Sequence, residues 1–290
     1  FLDDKNNELI KNKINTKTKW FYTGEAYRKQ NKNYNAPIIN QTGFEIFASN
    51  DKIKDDKEII QTSIEIFKKS KFKKGELNIS NIEIFNALID RLSLALRWKE
   101  RIKRHFCREA YFNQLLRKLS SDTDINFAEV EKDKKIAEKF RKQKPSTLYS
   151  GRALKDILER FDLKNFKEPR SIADKKSVKI IKNYLKISCS IDNAPSTLNK
   201  FFKKNKLNLF ISDDYFPVVK TINRKIKINF SSNINRSLEY YSGMVFNITV
   251  NKKGKKFSLI SGGRYDGLLK NLGSKKNTTA VGAAIDMSLL

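Results

Sequence analysis

The chain holds one histidine, His105, and two cysteines, Cys107 and Cys189, in 290 residues. The lone histidine lies inside the basic stretch RWKERIKRHFCR, which argues against a Ser-His-Asp or Cys-His site built from this chain alone, and with no second one a histidine-based metal site is not expected. His105 therefore reads as a structural residue, and no metal or cofactor is expected. The cysteines are far apart and form no CxxC, which fits a reduced cytoplasm and argues against a disulfide scaffold or a thiolate metal site. No run of eighteen apolar residues occurs, so no membrane span is expected. The opening FLDDKNNELI is acidic and polar where a secretory signal is basic and then apolar, so the expected location is cytoplasmic. Phe1 in place of an initiator methionine points to a start further upstream.

Acidic residues are also scarce, 32 against 60 Lys and Arg, for a formal net charge of +28. Phosphate neutralisation needs such a surplus, so a nucleic-acid partner is the first reading. Charge, however, reports solubility and nonspecific binding more than task. Lysine outnumbers arginine, Asn and Ile are abundant, and the lysines run through every segment; a low-GC genome writes the same pattern. The densest basic stretch, RWKERIKRHFCR, spaces Trp98, Ile102 and Phe106 four apart. It reads as a solvated helix with its aromatics packed inward, ahead of an RNA contact.

At this length the chain can bury one large core carrying an insertion. Its richest stretch runs from Arg236 to Gly273. Tyr240, Met244, Phe246, Ile248 and Val250 alternate with Glu239, Tyr241, Gly243, Asn247 and Thr249, the pattern of a half-buried strand. A lysine-rich turn at Gly254 leads into a second strand from Phe257 to Ile260, giving a hairpin whose outgoing arm should end in a bend at Gly262 and Gly263. Arg264, Tyr265 and Asp266 follow, types able to hydrogen-bond a ligand. Two glycines five apart in GGRYDG do not make a P-loop, because Leu268 and Leu269 stand where Lys and Ser/Thr belong.

RSLEYYSGMVF followed by SGGRYDGLL resembles the two signatures of the histidyl-tRNA synthetase family, RGLDYYTG and GGRYDGL. Ser237 and the Glu239 of LEYY lean towards its branch of ATP phosphoribosyltransferase regulatory subunits, which do not charge tRNA. Trp20–Ala26 with YRKQ resembles the family's motif 2, keeping Arg28 but placing Gln30 where a glutamate grips adenine; the loop NKNYNAP lacks the arginine that holds ATP phosphates. On the returning strand, Ile38 to Ser49, Gln41, Gly43 and Glu45 share one face, matching the QxGxE beneath the substrate amino acid. The family's substrate loop is not found between Ile10 and Trp20. At the far end, AVGAAIDMSLL sets Asp286, Ser288 and Leu289 against the second glycine, the Glu and the Arg of G-x-x-x-G-x-E-R, so the arginine clamp on ATP is lost.

The strand-rich ends and helical middle predict an α+β fold. A mainly antiparallel sheet flanked by helices is expected from about 1–80 and 206–290, with a helical insertion over 81–205. Helices are expected over Ile53–Lys69, over most of 81–196 and from Pro195 to near Lys204, and strands at Leu77–Ile79, LNLFIS 207–212 and KIKINF 225–230. The resemblance implies a class II synthetase-like core that has kept an amino-acid pocket and lost its nucleotide site. Glu45 would meet the ligand's ammonium, Arg236 and Gln41 its carboxylate or backbone, and Tyr241 and Tyr265 its imidazole, beside Arg28. It further implies a non-catalytic regulatory subunit serving histidine feedback. Its partner would be the short-form catalytic subunit of ATP phosphoribosyltransferase, bound by a homodimer within a hetero-octamer; tRNA is not an expected partner. The alternatives are a divergent or truncated histidyl-tRNA synthetase core and an interaction-only dimer scaffold with an empty pocket.

Overall fold

The computed structural model describes residues 16–27, 38–120, 127–143, 148–149, 152–165, 172–212, 215–216, 226–234, 240–252, 254–272, 274 and 277–290. They fall into two compact units, one from Phe1–Leu88 with Asn183–Leu290 and one from Ile89–Lys182. The fold is that of an α+β protein.

The first unit is built on an eight-stranded sheet. In chain order its strands are β1 (Thr18–Tyr27), β2 (Ile38–Phe47), β3 (Gly75–Asn81), β6 (Ser188–Ser190), β7 (Lys227–Ser231), β8 (Met244–Lys252), β9 (Lys255–Arg264) and β10 (Ala280–Asp286). They lie in the order β1-β2-β10-β9-β8-β3-β7-β6. Every pair is antiparallel except β3 with β7. Directly opposed residues share a face, so the register assigns both faces of the sheet. One carries Ile46, Val281, Ala283, Ile285, Ile260, Phe246, Ile248, Leu77 and Ile79, all buried. Helix α1 (Lys52–Lys69) lies against β2, β8, β9 and β10 and buries Ile59, Ile60, Ile64 and Phe67. Asp51 caps its start, accepting from the Lys54 amide at 3.0 Å, and the Ser70 amide closes its end on the Ile66 and Phe67 carbonyls. Lys17, just before β1, reaches Asp55 of that helix at 2.7 Å.

The second unit is helical. It holds the end of α2 (Ile82–Arg91), then α3 (Leu96–Arg104), α4 (Glu109–Ser120), α5 (Phe127–Arg141), a two-residue ladder of β4 (Leu148–Tyr149) and β5 (Arg152–Ala153), α6 (Leu154–Asn165) and most of α7 (Ile172–Tyr184). Trp98, Ile102 and Phe106 are buried, as their spacing predicts. Phe106 meets Phe112 edge-on at 5.7 Å. Two charges of α3 find side-chain partners: Lys103 pairs with Asp90 and Glu100, and Arg101 donates to the Tyr111 hydroxyl at 2.8 Å. That is the solvated-helix reading of the basic stretch. No helix among the described residues is long and apolar enough to cross a membrane.

Four local expectations change. Gly262 and Gly263 do not bend the chain; they lie inside β9, paired with both β8 and β10. Strand β8 is not half-buried along its length: Met244, Val245, Phe246, Ile248, Thr249 and Val250 are all buried, because the strand sits inside the sheet. Residues 207–212 form no strand. The Asn199 side chain of α8 (Ala194–Lys204) holds them instead, donating to the Ile211 carbonyl and accepting from its amide at 2.9 and 2.8 Å, the two bonds a neighbouring strand would have made. Finally, the helical middle is broken by β4, β5 and β6, the last adding an edge to the main sheet.

Candidate functional site

The face of the sheet opposite α1 carries the candidate site. Across it the register sets Trp20, Glu45, Gly282, Gly263 and Val245 in one row and Tyr22, Gly43, Ala284, Ser261 and Asn247 in the next. The glycines make the floor. A Cβ on Gly282 would overlap the Glu45 carboxylate, and one on Gly263 would come within 2.8 Å of the Tyr241 ring. Bare backbone here is thus what lets a carboxylate and an aromatic ring lie flat on the sheet.

Above this floor stands Tyr265, in the turn between β9 and the short helix α9 (Leu268–Asn271), with its hydroxyl donating to Glu45 Oε2. Phe47, Tyr265, Leu269 and Ala280 form a small buried cluster, with Trp20 and Tyr241 against it. Phe47 meets both Trp20 and Tyr265 edge-on, at 5.7 and 6.5 Å. Tyr240 lies between the other two tyrosines, 4.7 Å from Tyr241 and 5.7 Å from Tyr265. The result is one carboxylate walled by aromatic rings.

Burial drives the electrostatics. It pushes the Glu45 carboxyl up to about 7, against the lowering pull of the Tyr265 hydrogen bond. Burial likewise raises the Tyr241 and Tyr265 phenols well above their ordinary value, so both keep their protons at neutral pH. The site offers one titrating acceptor and two lasting hydroxyls. Such an arrangement suits a ligand bearing an ammonium and a flat ring; among the described residues it presents no activated nucleophile. Among the described residues no cluster of histidine, cysteine or carboxylates is suited to a metal.

Of the six residues expected here, Gln41, Glu45, Tyr241 and Tyr265 lie on this side of the sheet, while Arg28 and Arg236 fall outside the described residues, with Gln30 and the loop 31–37. Gln41 stands apart from Glu45. The gap over Gly43 is filled by the ring of Tyr22, whose hydroxyl accepts from Gln41 Nε2. Tyr22, Trp20 and Tyr240 are therefore wall residues that motif reading missed. The available signal was β-strand parity, since Trp20 and Tyr22 oppose Glu45 and Gly43.

Arg264 and Asp266, expected to face a ligand, turn the other way. Arg264 is 2% exposed. It donates from Nε to Asp56 at 2.9 Å, from Nη1 to Asp266 at 2.9 Å and from Nη2 to the Lys52 carbonyl at 3.0 Å. Asp266 also accepts from the Ala280 amide and pairs with Lys52. Burial pushes Asp56 up to about 6 although the Arg264 guanidinium draws it down. This buried network ties α1 to the segment that carries Tyr265.

The histidyl-tRNA synthetase family model matches residues 8–159 and 136–290. A histidine--tRNA ligase of Francisella tularensis subsp. novicida is 45% identical over 65 residues, 22% of this chain and 15% of that protein. An ATP phosphoribosyltransferase regulatory subunit of Rhizobium rhizogenes is 24% identical over 294 aligned positions, 95% of this chain and 77% of the relative. Among solved structures, an ATP phosphoribosyltransferase regulatory subunit/histidyl-tRNA synthetase from Bacillus halodurans superposes with TM-score 0.53 and 16% identity, covering 98% of this chain and 60% of that one. A histidyl-tRNA synthetase from Nostoc sp. gives 0.57 and 16% over 98% and 55%. The chain thus spans a small part of the ligase and somewhat over half of each solved relative.

Proposed function

We propose, from the premise that this chain belongs to the histidyl-tRNA synthetase family, that it is a non-catalytic regulatory subunit of ATP phosphoribosyltransferase. It would associate in the cytoplasm with the short-form catalytic subunit, as a homodimer within a hetero-octamer, and pass histidine feedback to it. Residues 1–80 and 206–290 would supply the synthetase-like core and 81–205 the insertion.

The observation that carries this reading is the end of β10. The family's last motif places a Glu and an Arg there, and this chain has Ser288 and Leu289. The Ser288 hydroxyl accepts from the Asn40 amide at 3.3 Å, and the Met287 amide donates to the Asn40 carbonyl at 2.8 Å. The turn thus carries no guanidinium to bind a triphosphate. On the neighbouring strand β2, Glu45 sits within aromatic walls. An amino-acid site without its nucleotide site suits a sensor, since a ligand shifts an assembly only as far as it prefers one of its states. The regulatory-subunit relative covering 95% of the chain supports the same reading.

In the proposed roles Glu45 meets the ammonium of histidine, Tyr241 and Tyr265 enclose the imidazole, and Gln41 and Arg236 take the carboxylate or backbone, with Arg28 beside them. Co-purification with the catalytic chain tests the partnership, and activity against histidine concentration tests the pocket. Failure to associate sinks the function. Association with unchanged inhibition in Glu45→Ala makes the pocket vestigial.

The second reading is a divergent synthetase core, favoured by the 45% identity to a histidine--tRNA ligase over 65 residues. Histidine-dependent ATP–pyrophosphate exchange above a buffer blank would establish it in place of the first.

A further inference from the structure

We propose that one end of the sheet, made by the β8–β9 turn and the starts of β3 and β7, binds the phosphate backbone of a nucleic acid without regard to base sequence. In the linear chain its lysines are scattered, and the register gathers them. Gly75 and Glu76 of β3 lie beside Val250 and Thr249 of β8, while Lys227 of β7 lies beside Glu76 on the other side. One step further, Asn251 and Lys252 pair with Lys256 and Lys255 across the turn. Neighbouring strands run about 4.8 Å apart, so three segments converge on one small surface. The link from α1 into β3 enters at the same place, because Gly75 packs under the Phe67 ring.

Lys71, Lys73, Lys74, Lys227, Lys255 and Lys256 are all exposed there. Residues 66–75 and 250–258 contain no acidic residue, and Glu76 is the carboxylate these lysines surround. It pairs with Lys256 at 2.6 Å, and its carboxyl is held below the usual range by Lys256 first and by Lys227 as well. One acid among at least six ammonium groups leaves a positive field at this end of the sheet.

The composition of the patch selects the partner. Lysine is a point charge that meets a phosphate without reading a base, and among the described residues of this patch no arginine supplies a bidentate fork to do so. Protein interfaces favour Tyr, Trp and Arg and are poor in lysine. A membrane-surface site adds exposed apolar residues, whereas Phe72 and Phe257 here are half-buried. A backbone of regularly spaced phosphates is the partner left.

The test is fluorescence anisotropy of the full chain with a short labelled oligothymidylate at about 50 and about 200 mM salt. Two variants are compared: Lys73→Gln/Lys74→Gln/Lys255→Gln, and Lys176→Gln/Lys179→Gln/Lys182→Gln on the exposed face of α7, with the same loss of charge. The sheet-end variant should bind at least about tenfold more weakly at the lower salt, with a log–log salt slope shallower by about 2, while the α7 variant stays within about twofold. Thermal melting of each checks that the fold is kept. No binding, equal weakening of both variants, or retained affinity in the sheet-end variant overturns the proposal. Displacement of the oligonucleotide by polyglutamate at matched charge also overturns it, by assigning the surface to acidic protein.

Discussion

The Tyr265 hydroxyl donates to the Glu45 carboxylate above a strand position, 282, that has no side chain. The three residues come from three separate segments, and β10 lies between β2 and β9 to bring them together. Glu45 can lie flat only because Gly282 opposes it in the register.

Gly282→Ala should therefore cost ligand binding before it costs folding. The added methyl overlaps the carboxylate and forces Glu45 off the floor, away from Tyr265. Calorimetric titration with histidine should show at least a tenfold loss, on the order of 1.4 kcal/mol. Unchanged affinity would mean that Glu45 does not bind the ligand from this position.

The raised carboxyl of Glu45 makes a pH prediction whose sign follows from its direction. Folded, it holds its proton up to about 7, against an ordinary value of 4.5. Its contribution to stability is fully present below the ordinary value and is lost as pH rises through about 7. Between about pH 5 and pH 8 the melting temperature should fall further for wild type than for Glu45→Gln, whose side chain stays neutral. Parallel curves would place the titration elsewhere.

Ligand affinity should move the opposite way. An ammonium is held by the ionised carboxylate, so binding to wild type should strengthen about tenfold more than binding to Glu45→Gln from about pH 6 to pH 8. Using the difference between the two proteins cancels the titration of histidine itself. Equal pH profiles would remove Glu45 as the ammonium partner.

Arg264→Leu strands Asp56 in the interior and takes one partner from Asp266, which keeps Lys52 and the Ala280 amide, and should destabilise by about 3 to 5 kcal/mol in urea unfolding. Adding Asp56→Asn should return a good part of the loss, because the buried charge goes with its partner. No recovery in the double variant would show that the network is not coupled in this way.

Asn199→Ala leaves the Ile211 amide and carbonyl without the side chain that serves both. A cost of about 1 to 3 kcal/mol is expected, with faster amide exchange at Ile211. A smaller effect confined to α8 would mean that water replaces both bonds.

Much of the fold was legible because period and parity are local properties. The β1–β2 pair, helix α1 and the spacing of Trp98, Ile102 and Phe106 could all be read from residues within a few turns of one another. The legible part of the site was the set of residues on one strand face, Gln41 with Glu45, and one tyrosine from each signature, Tyr241 and Tyr265. What escaped reading depends on partners distant in sequence. Gly262 and Gly263 look like a bend until two flanking strands are present to hold them straight. LNLFIS has the composition of a strand and loses that role to one asparagine side chain. Arg264 and Asp266 have the chemistry of ligand contacts, and only the position of α1 beneath β9 turns them into a buried network. Tyr22 entered the site through strand pairing, which no motif encodes.

The central place of β10 governs how the site opens. Its residues are mostly buried, and β2 and β9 pair with it on either side. A strand so enclosed exchanges its amide hydrogens only when the whole sheet comes apart, whereas the single-sided edge β1 can fray by itself. The floor of the pocket thus belongs to the slowest-exchanging part of the unit, and the wall bearing Trp20 and Tyr22 to a faster one. Deuterium uptake should accordingly separate the two sides of one pocket in time, and a ligand that seats there should slow uptake along β1 while leaving β10 as it was.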